Sequence, residues 1–150
     1  MISKVLPVAT RVLLGLVFFV FGLNGFLHFL PQPPLPAAAM PFLGGLAGAG
    51  YFFPLLKSIE VAAGVLLLSN RFVPLALTLL APIVVNIAAF HLVLAPNPAM
   101  VVFLLAAEIY LAWSYRDAFR GVLAARARPA AARTAPIGGE QRSGVAAIAK

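Results

Sequence analysis

The chain contains no cysteine. Its absence excludes disulfides, thiol redox relays, iron–sulfur clusters and cysteine-ligated zinc. It leaves the compartment open, because there is nothing to oxidise. Charge is also scarce. Only 10% of the residues are Asp, Glu, Lys or Arg, where a soluble domain carries roughly a quarter. Acidic residues are rarest, four against eleven basic ones, for a net charge of +7. The chain lacks a phosphate loop, a dinucleotide fingerprint, HExxH and GxSxG, so the common soluble-enzyme signatures are missing. Its basic tail has no aromatic interleaving, so no nucleic-acid partner is expected.

What the chain has is apolar surface. A hydrophobic share of 63% in 150 residues is more than one soluble domain could bury, and the expected solvent is lipid. Four apolar runs match the roughly 17–25 residues that cross a bilayer. They extend from about Val8 to Leu30, Gly50 to Ser69, Phe72 to Leu94 and Ala99 to Tyr115. PQPPLP (Pro31 to Pro36), SNR (Ser69 to Arg71) and APNP (Ala95 to Pro98) separate them, and proline-rich segments cannot be helix interiors. Pro54 and Pro74 fall in first turns, where proline is tolerated.

Lysine and arginine set the orientation. Lys4 and Arg11 precede or open the first run, and Arg71 lies between the second and third. Arg116, Arg120, Arg126, Arg128, Arg133, Arg142 and Lys150 follow the fourth. Residues 31–50 and the connection between the third and fourth runs carry no charge. The alternation places both termini in the cytoplasm, with Trp113 and Tyr115 at the inner interface and Tyr51 near the outer one. A basic start followed by Ala37 to Ala39 imitates a cleaved signal peptide. The apolar run is too long for one and prolines intervene, so the first span is expected to remain.

The expected fold is all-α: a polytopic four-transmembrane-helix bundle over residues 1–121, with a disordered basic cytoplasmic tail over 122–150. The tail arginines either hold the inner leaflet, at about 1 kcal/mol each, or only fix topology. In the outer loop, Pro31 to Pro36 should be extended polyproline. The Gly-rich stretch to Gly50 either lies along the surface or dips back.

Polar residues inside the runs are the candidate site. A charge at a span centre costs roughly 2.5–3.5 kcal/mol, against roughly −0.3 to −0.6 kcal/mol for each large apolar residue. Lys57 and Glu60 therefore leave the second span marginal alone. Three residues apart, they share a helix face and can pair, and such a pair is weak evidence for stability. Counted from each span's middle, Glu60 and Glu108 lie near the midplane. Asn24, Lys57 and Asn86 lie roughly 5 Å further out, and His28 and His91 near the outer interface.

Together these residues suggest one polar ligand-binding pocket, opening outward. Against that stand plainer roles: ion-pair glue for Lys57 and Glu60, interhelical hydrogen bonds for Asn24 and Asn86, headgroup contact for the histidines. Asn24 and His28, four apart, should share a face. Pro82 should kink the third span and free the carbonyl of Thr78. Two histidines at similar depth are the pattern of a haem b axial pair, but nothing else in the sequence supports haem. No metal site is expected. The glycines of GLVFF and GVLLL let helices approach.

RVLLGLVFFVFGLNGFLHFLP (11–31), GYFFPLLKSIEVAAGVLLLSNRFVPLAL (50–77), APIVVNIAAFHLVLAP (81–96) and YLAWSYRDAFR (110–120) together resemble the DoxX family of small bacterial four-helix membrane proteins. The resemblance covers about residues 1–121 and implies a multi-pass protein of the bacterial inner membrane. A related branch forms the membrane subunit of thiosulfate:quinone oxidoreductase, other members are linked to redox defence complexes, and distant relatives act as membrane chaperones or cargo receptors. The family has no agreed catalytic motif, so no catalytic residue is carried over. The missing cysteines argue against the thiol chemistry of the redox relatives.

Two functions follow. The first is an accessory subunit of a quinone-linked redox system, partnered by a membrane or peripheral redox protein. Lys57 would then bind the quinone headgroup, and Glu60 or Glu108 would pass the proton. The second is a non-enzymatic membrane scaffold or chaperone whose polar cluster only specifies helix packing. On neither reading is the chain expected to be an enzyme by itself.

Overall fold

A computed structural model of the chain describes residues 2–31 and 34–126. All regular elements in it are helical, and no strand occurs among the described residues. In chain order they are α1 (Ile2–Leu27), α2 (Met40–Gly48), α3 (Phe52–Leu68), α4 (Val73–Val93), α5 (Pro98–Ser114) and the short α6 (Arg116–Phe119). A 3-10 turn over Ala37–Ala39 leads into α2. The chain divides into two units, residues 1–119 and 120–150. Of the second, only residues 120–126 are described, in turn and bend. The rest of the expected tail lies outside the described residues.

Helix ends follow local chemistry. α1 stops at Leu27, short of the apolar run's end at Leu30, because His28 adopts the left-handed region with φ 51°. Its amide still donates to the Asn24 carbonyl at 2.9 Å, the usual way a left-handed residue closes a helix. Between α3 and α4 the turn uses two more left-handed residues, Asn70 (φ 56°) and Phe72 (φ 51°). Asn97 caps α5, its side-chain oxygen accepting from the Met100 amide at 3.2 Å, with Pro98 as the first helical residue. That is the preferred order of side-chain cap and proline. Pro54 and Pro74 stand in first turns as expected, and Pro82 lies inside α4.

All four apolar runs are helical, but they differ in reach. α1 over Val5–Leu27 and α4 over its 21 residues are long and apolar enough to cross a membrane. α3 and α5 have 17 residues each, about 25 Å at 1.5 Å per residue, short of a hydrocarbon core of about 30 Å. α3 meets the length test only jointly with residues 37–48, and the two are bent by 92° at the break. Gly50 in that break has φ 72°, a conformation that glycine adopts without strain. The loop before α3 is thus itself helical and turns sharply away from α3. Among the described residues two helices, or three if the bent pair counts as one span, are membrane-capable.

α1 packs most extensively against α3 and also touches α5, while α4 packs against both α3 and α5. Leu14, Leu67, Leu77, Leu80, Leu104 and Leu111 are fully buried between them. α1 and α3 run antiparallel: Arg11 meets Leu67, Phe19 meets Gly64, Gly22 meets Val61 and Gly25 meets Lys57. A Cβ on Gly64 would stand 2.7 Å from the Phe19 amide nitrogen, and one on Gly22 2.8 Å from Val61 Cγ2. The two backbones are in contact, the arrangement small residues permit where no hydrophobic effect drives association. Large apolar side chains cover the outside; Val85, Val102 and Ile109 are each more than 60% exposed.

Candidate functional site

The Lys57 ammonium donates to Glu60 Oε2 at 2.7 Å. The carboxylate is buried, and Lys57 is 23% exposed. α1 holds the pair in place from the side. A Cβ on Gly25 would lie 2.4 Å from Lys57 Cγ, and one on Gly22 3.1 Å from Glu60 Cβ. Both stems therefore lie over glycines, inside the α1–α3 interface. The pair closes on itself there.

The other polar residues expected in one pocket do not converge on it. Asn24 is buried, and its side-chain oxygen accepts from the Leu30 amide at 2.7 Å. It fastens the chain as it leaves α1. His28 is exposed and lies beyond the helix end, so it shares no helical face with Asn24. The expected i, i+4 pairing fails because the left-handed turn begins at His28 itself. The His91 Nδ1 donates to the Ala95 carbonyl at 2.9 Å, and its ring stands edge-on to Phe90 at 5.1 Å. It ties the end of α4 to the following turn. No hydrogen bond or ion pair among the described residues joins either histidine to Lys57 or Glu60.

Asn86 is exposed on α4 rather than turned toward a packed helix. It stands in an open groove of about 550 Å³ between α4 and α2. Glu108 is buried, and its Oε2 has no hydrogen-bond partner among the described residues. Its helix packs on α1 and α4, whereas Glu60 faces α1 from α3.

The sequence predicts for Arg11 only a part in orienting the first span. In the structure it is 7% exposed. Its Nη1 donates to the Leu67 carbonyl and, at 3.5 Å, to that of Leu68. These are the last residues of α3, whose carbonyls have no partner within the helix; that of Leu67 also accepts from the Asn70 amide at 3.2 Å. The guanidinium thus caps α3 from α1 and opposes the negative end of its dipole. The only signal in the sequence was a charge inside an apolar run.

The site offers little to chemistry. The hydroxyls of Ser58, Thr78 and Ser114 donate to carbonyls four residues earlier at 2.7, 2.8 and 2.8 Å, the back-bonding expected of helical Ser and Thr. No group of three His, Cys, Asp or Glu residues placed to hold a metal occurs among the described residues. Compared with family models, curated proteins and solved structures, the chain matches none.

Proposed function

We propose that this chain is a four-span integral membrane protein of the DoxX type, working as a non-enzymatic scaffold or chaperone. One observation carries the reading: the Lys57–Glu60 pair is closed at 2.7 Å and held over Gly22 and Gly25. Asn24 and His91 are likewise engaged with backbone at helix ends. Lys57, Glu60, Asn24 and His91, polar groups that a pocket would need, are thus occupied in packing and capping.

Several features support the membrane. α1 and α4 have the required length and apolarity, and large apolar side chains face outward. The shorter α3 and α5 cross if the bilayer thins locally or flanking residues reach the interface, each a modest cost. Arg11 and the α3 terminus leading to Arg71 lie at one end of the α1–α3 pair. Basic residues at that end, and their absence from the other connections, favour cytoplasmic termini. The resemblance adds a bacterial inner membrane.

A second reading is kept by Glu108, whose buried oxygen has no partner among the described residues. It fits an accessory subunit of a quinone-linked redox system, with a membrane or peripheral redox protein as partner.

Native mass spectrometry and an absorption spectrum in mild detergent separate the two. The scaffold reading expects no copurifying chromophore in the wild type. It also expects lower thermal stability in Glu60→Gln and recovery in the double variant Lys57→Met/Glu60→Leu, because an apolar pair replaces a buried ion pair at little cost. A bound quinone that is lost in Glu60→Gln or Glu108→Gln overturns it in favour of the redox reading.

A further inference from the structure

The outward side of α4 carries one polar side chain that the fold leaves unused. Asn86 is exposed, and among the described residues nothing bonds to its amide. Val85, Ala89 and Val93 flank it along the groove, with Phe42 of α2 and Phe90 as a wall, their rings 6.0 Å apart. Val85 and Val93 are 62% and 74% exposed. In water an exposed asparagine needs no explanation. In hydrocarbon an amide without a partner is destabilising. One turn earlier Pro82 lines the same groove and has no backbone N–H to give.

We infer that this Asn86 face of α4 is where two copies of the chain associate in the membrane. The inference rests on the membrane-spanning reading above. Copies inserted by one charge rule share one orientation. A two-fold axis relating them must then run along the bilayer normal, and each residue near the axis meets its own counterpart at equal depth. The side chain at the centre of such a contact has to be self-complementary. An amide is, because it carries both donor and acceptor; a lysine or a carboxylate would repel its copy. Ala89, less than one turn from Asn86, is small enough for two backbones to approach. A bilayer lipid fits less well. Asn86 is three residues from the middle of α4, roughly 5 Å from the centre, where lipid offers only hydrocarbon.

Single cysteines test this cleanly, because the chain has none of its own. Val85→Cys and Ala89→Cys would each be oxidised in alkali-washed native membranes, with Ile109→Cys on exposed α5 as control. Disulfide-linked dimers are expected at 85 and 89 and not at 109. Adding Asn86→Leu should weaken the dimer roughly tenfold by native mass spectrometry, about 1.4 kcal/mol, while Asn86→Gln retains most of it. Among the described residues nothing bonds to the Asn86 side chain, so the thermal stability of the monomer should not fall.

A chain that stays in the membrane without cross-linking at 85 or 89 overturns the dimer alone. Equal cross-linking at 109 does the same. A monomer carrying a lipid that Asn86→Leu removes would hand the groove to that lipid. A chain that washes out overturns the spanning reading, and the dimer with it.

Discussion

Lys57 reaches Glu60 by laying its stem across the bare Cα of Gly25, where a Cβ would stand 2.4 Å from Cγ and 2.6 Å from Cδ. Gly25→Ala should therefore act through the ion pair. The methyl group displaces a flexible stem and pulls the ammonium off the carboxylate. A loss of about 1–3 kcal/mol is expected in thermal unfolding. In a double-mutant cycle with Lys57→Ala the second substitution should cost little, because the stem is already gone. Additive losses would show that the pair does not depend on Gly25.

Gly64 meets main chain instead of a movable side chain. Gly64→Ala brings a Cβ to 2.7 Å from the Phe19 nitrogen and 2.9 Å from its Cα. α1 and α3 must then part, at about 1–3 kcal/mol. Gly44 in α2 has open space around it. Gly44→Ala should stabilise by roughly 0.4–1 kcal/mol through the unfolded chain alone. Melting both variants in the same detergent checks the contrast, and equal effects would remove the packing argument.

Arg11 should separate into two roles. Arg11→Leu removes the charged donor from the last carbonyls of α3, leaving Leu67 the Asn70 amide, and should cost about 1.5–3 kcal/mol, the range for hydrogen bonds to a charged group. Arg11→Lys should rescue only part of this, since an ammonium is a single compact donor rather than a planar fork. Orientation, read by a reporter fused to the C-terminus, should not change in either variant, because the basic residues after α5 remain. An inverted Arg11→Leu would assign the residue to topology after all.

At the exit from α1, Asn24→Ala should cost about 1–2 kcal/mol by orphaning the Leu30 amide. His28→Gly should be neutral or stabilising by under about 1 kcal/mol, because glycine takes the left-handed turn without strain. A clear loss of stability or of a copurifying molecule in His28→Gly would give the imidazole a role beyond ending the helix.

The four apolar runs and the Lys57–Glu60 pair were legible because both follow from spacing along one helix. Pro31, Ser69 and Pro96 marked the breaks well enough to bring most helix ends within a few residues. The converging pocket was not legible. Position along a helix follows from the sequence, but the rotation of one helix against its neighbours does not, and that rotation leaves Asn86 exposed. His28 escaped because no glycine announced the left-handed turn. Arg11 escaped because its partners are backbone carbonyls 56 and 57 residues away, which no pairing of side chains reveals. Gly22 and Gly25 lie outside the GLVFF and GVLLL motifs, but Gly15, Gly22 and Gly25 are spaced seven and three apart and so recur on one side of a helix.

The tightest interface, between α1 and α3, is also complete early in the chain. Both of its halves have been synthesised once the ribosome passes Ser69, before any of α4 or α5 exists. If α1 and α3 both cross the bilayer, as proposed, and enter it in order, the helix carrying two charges meets a glycine-surfaced partner already in place. Its insertion then does not wait for the last two helices. A truncation after residue 71 should accordingly insert, and the same segment without α1 should not.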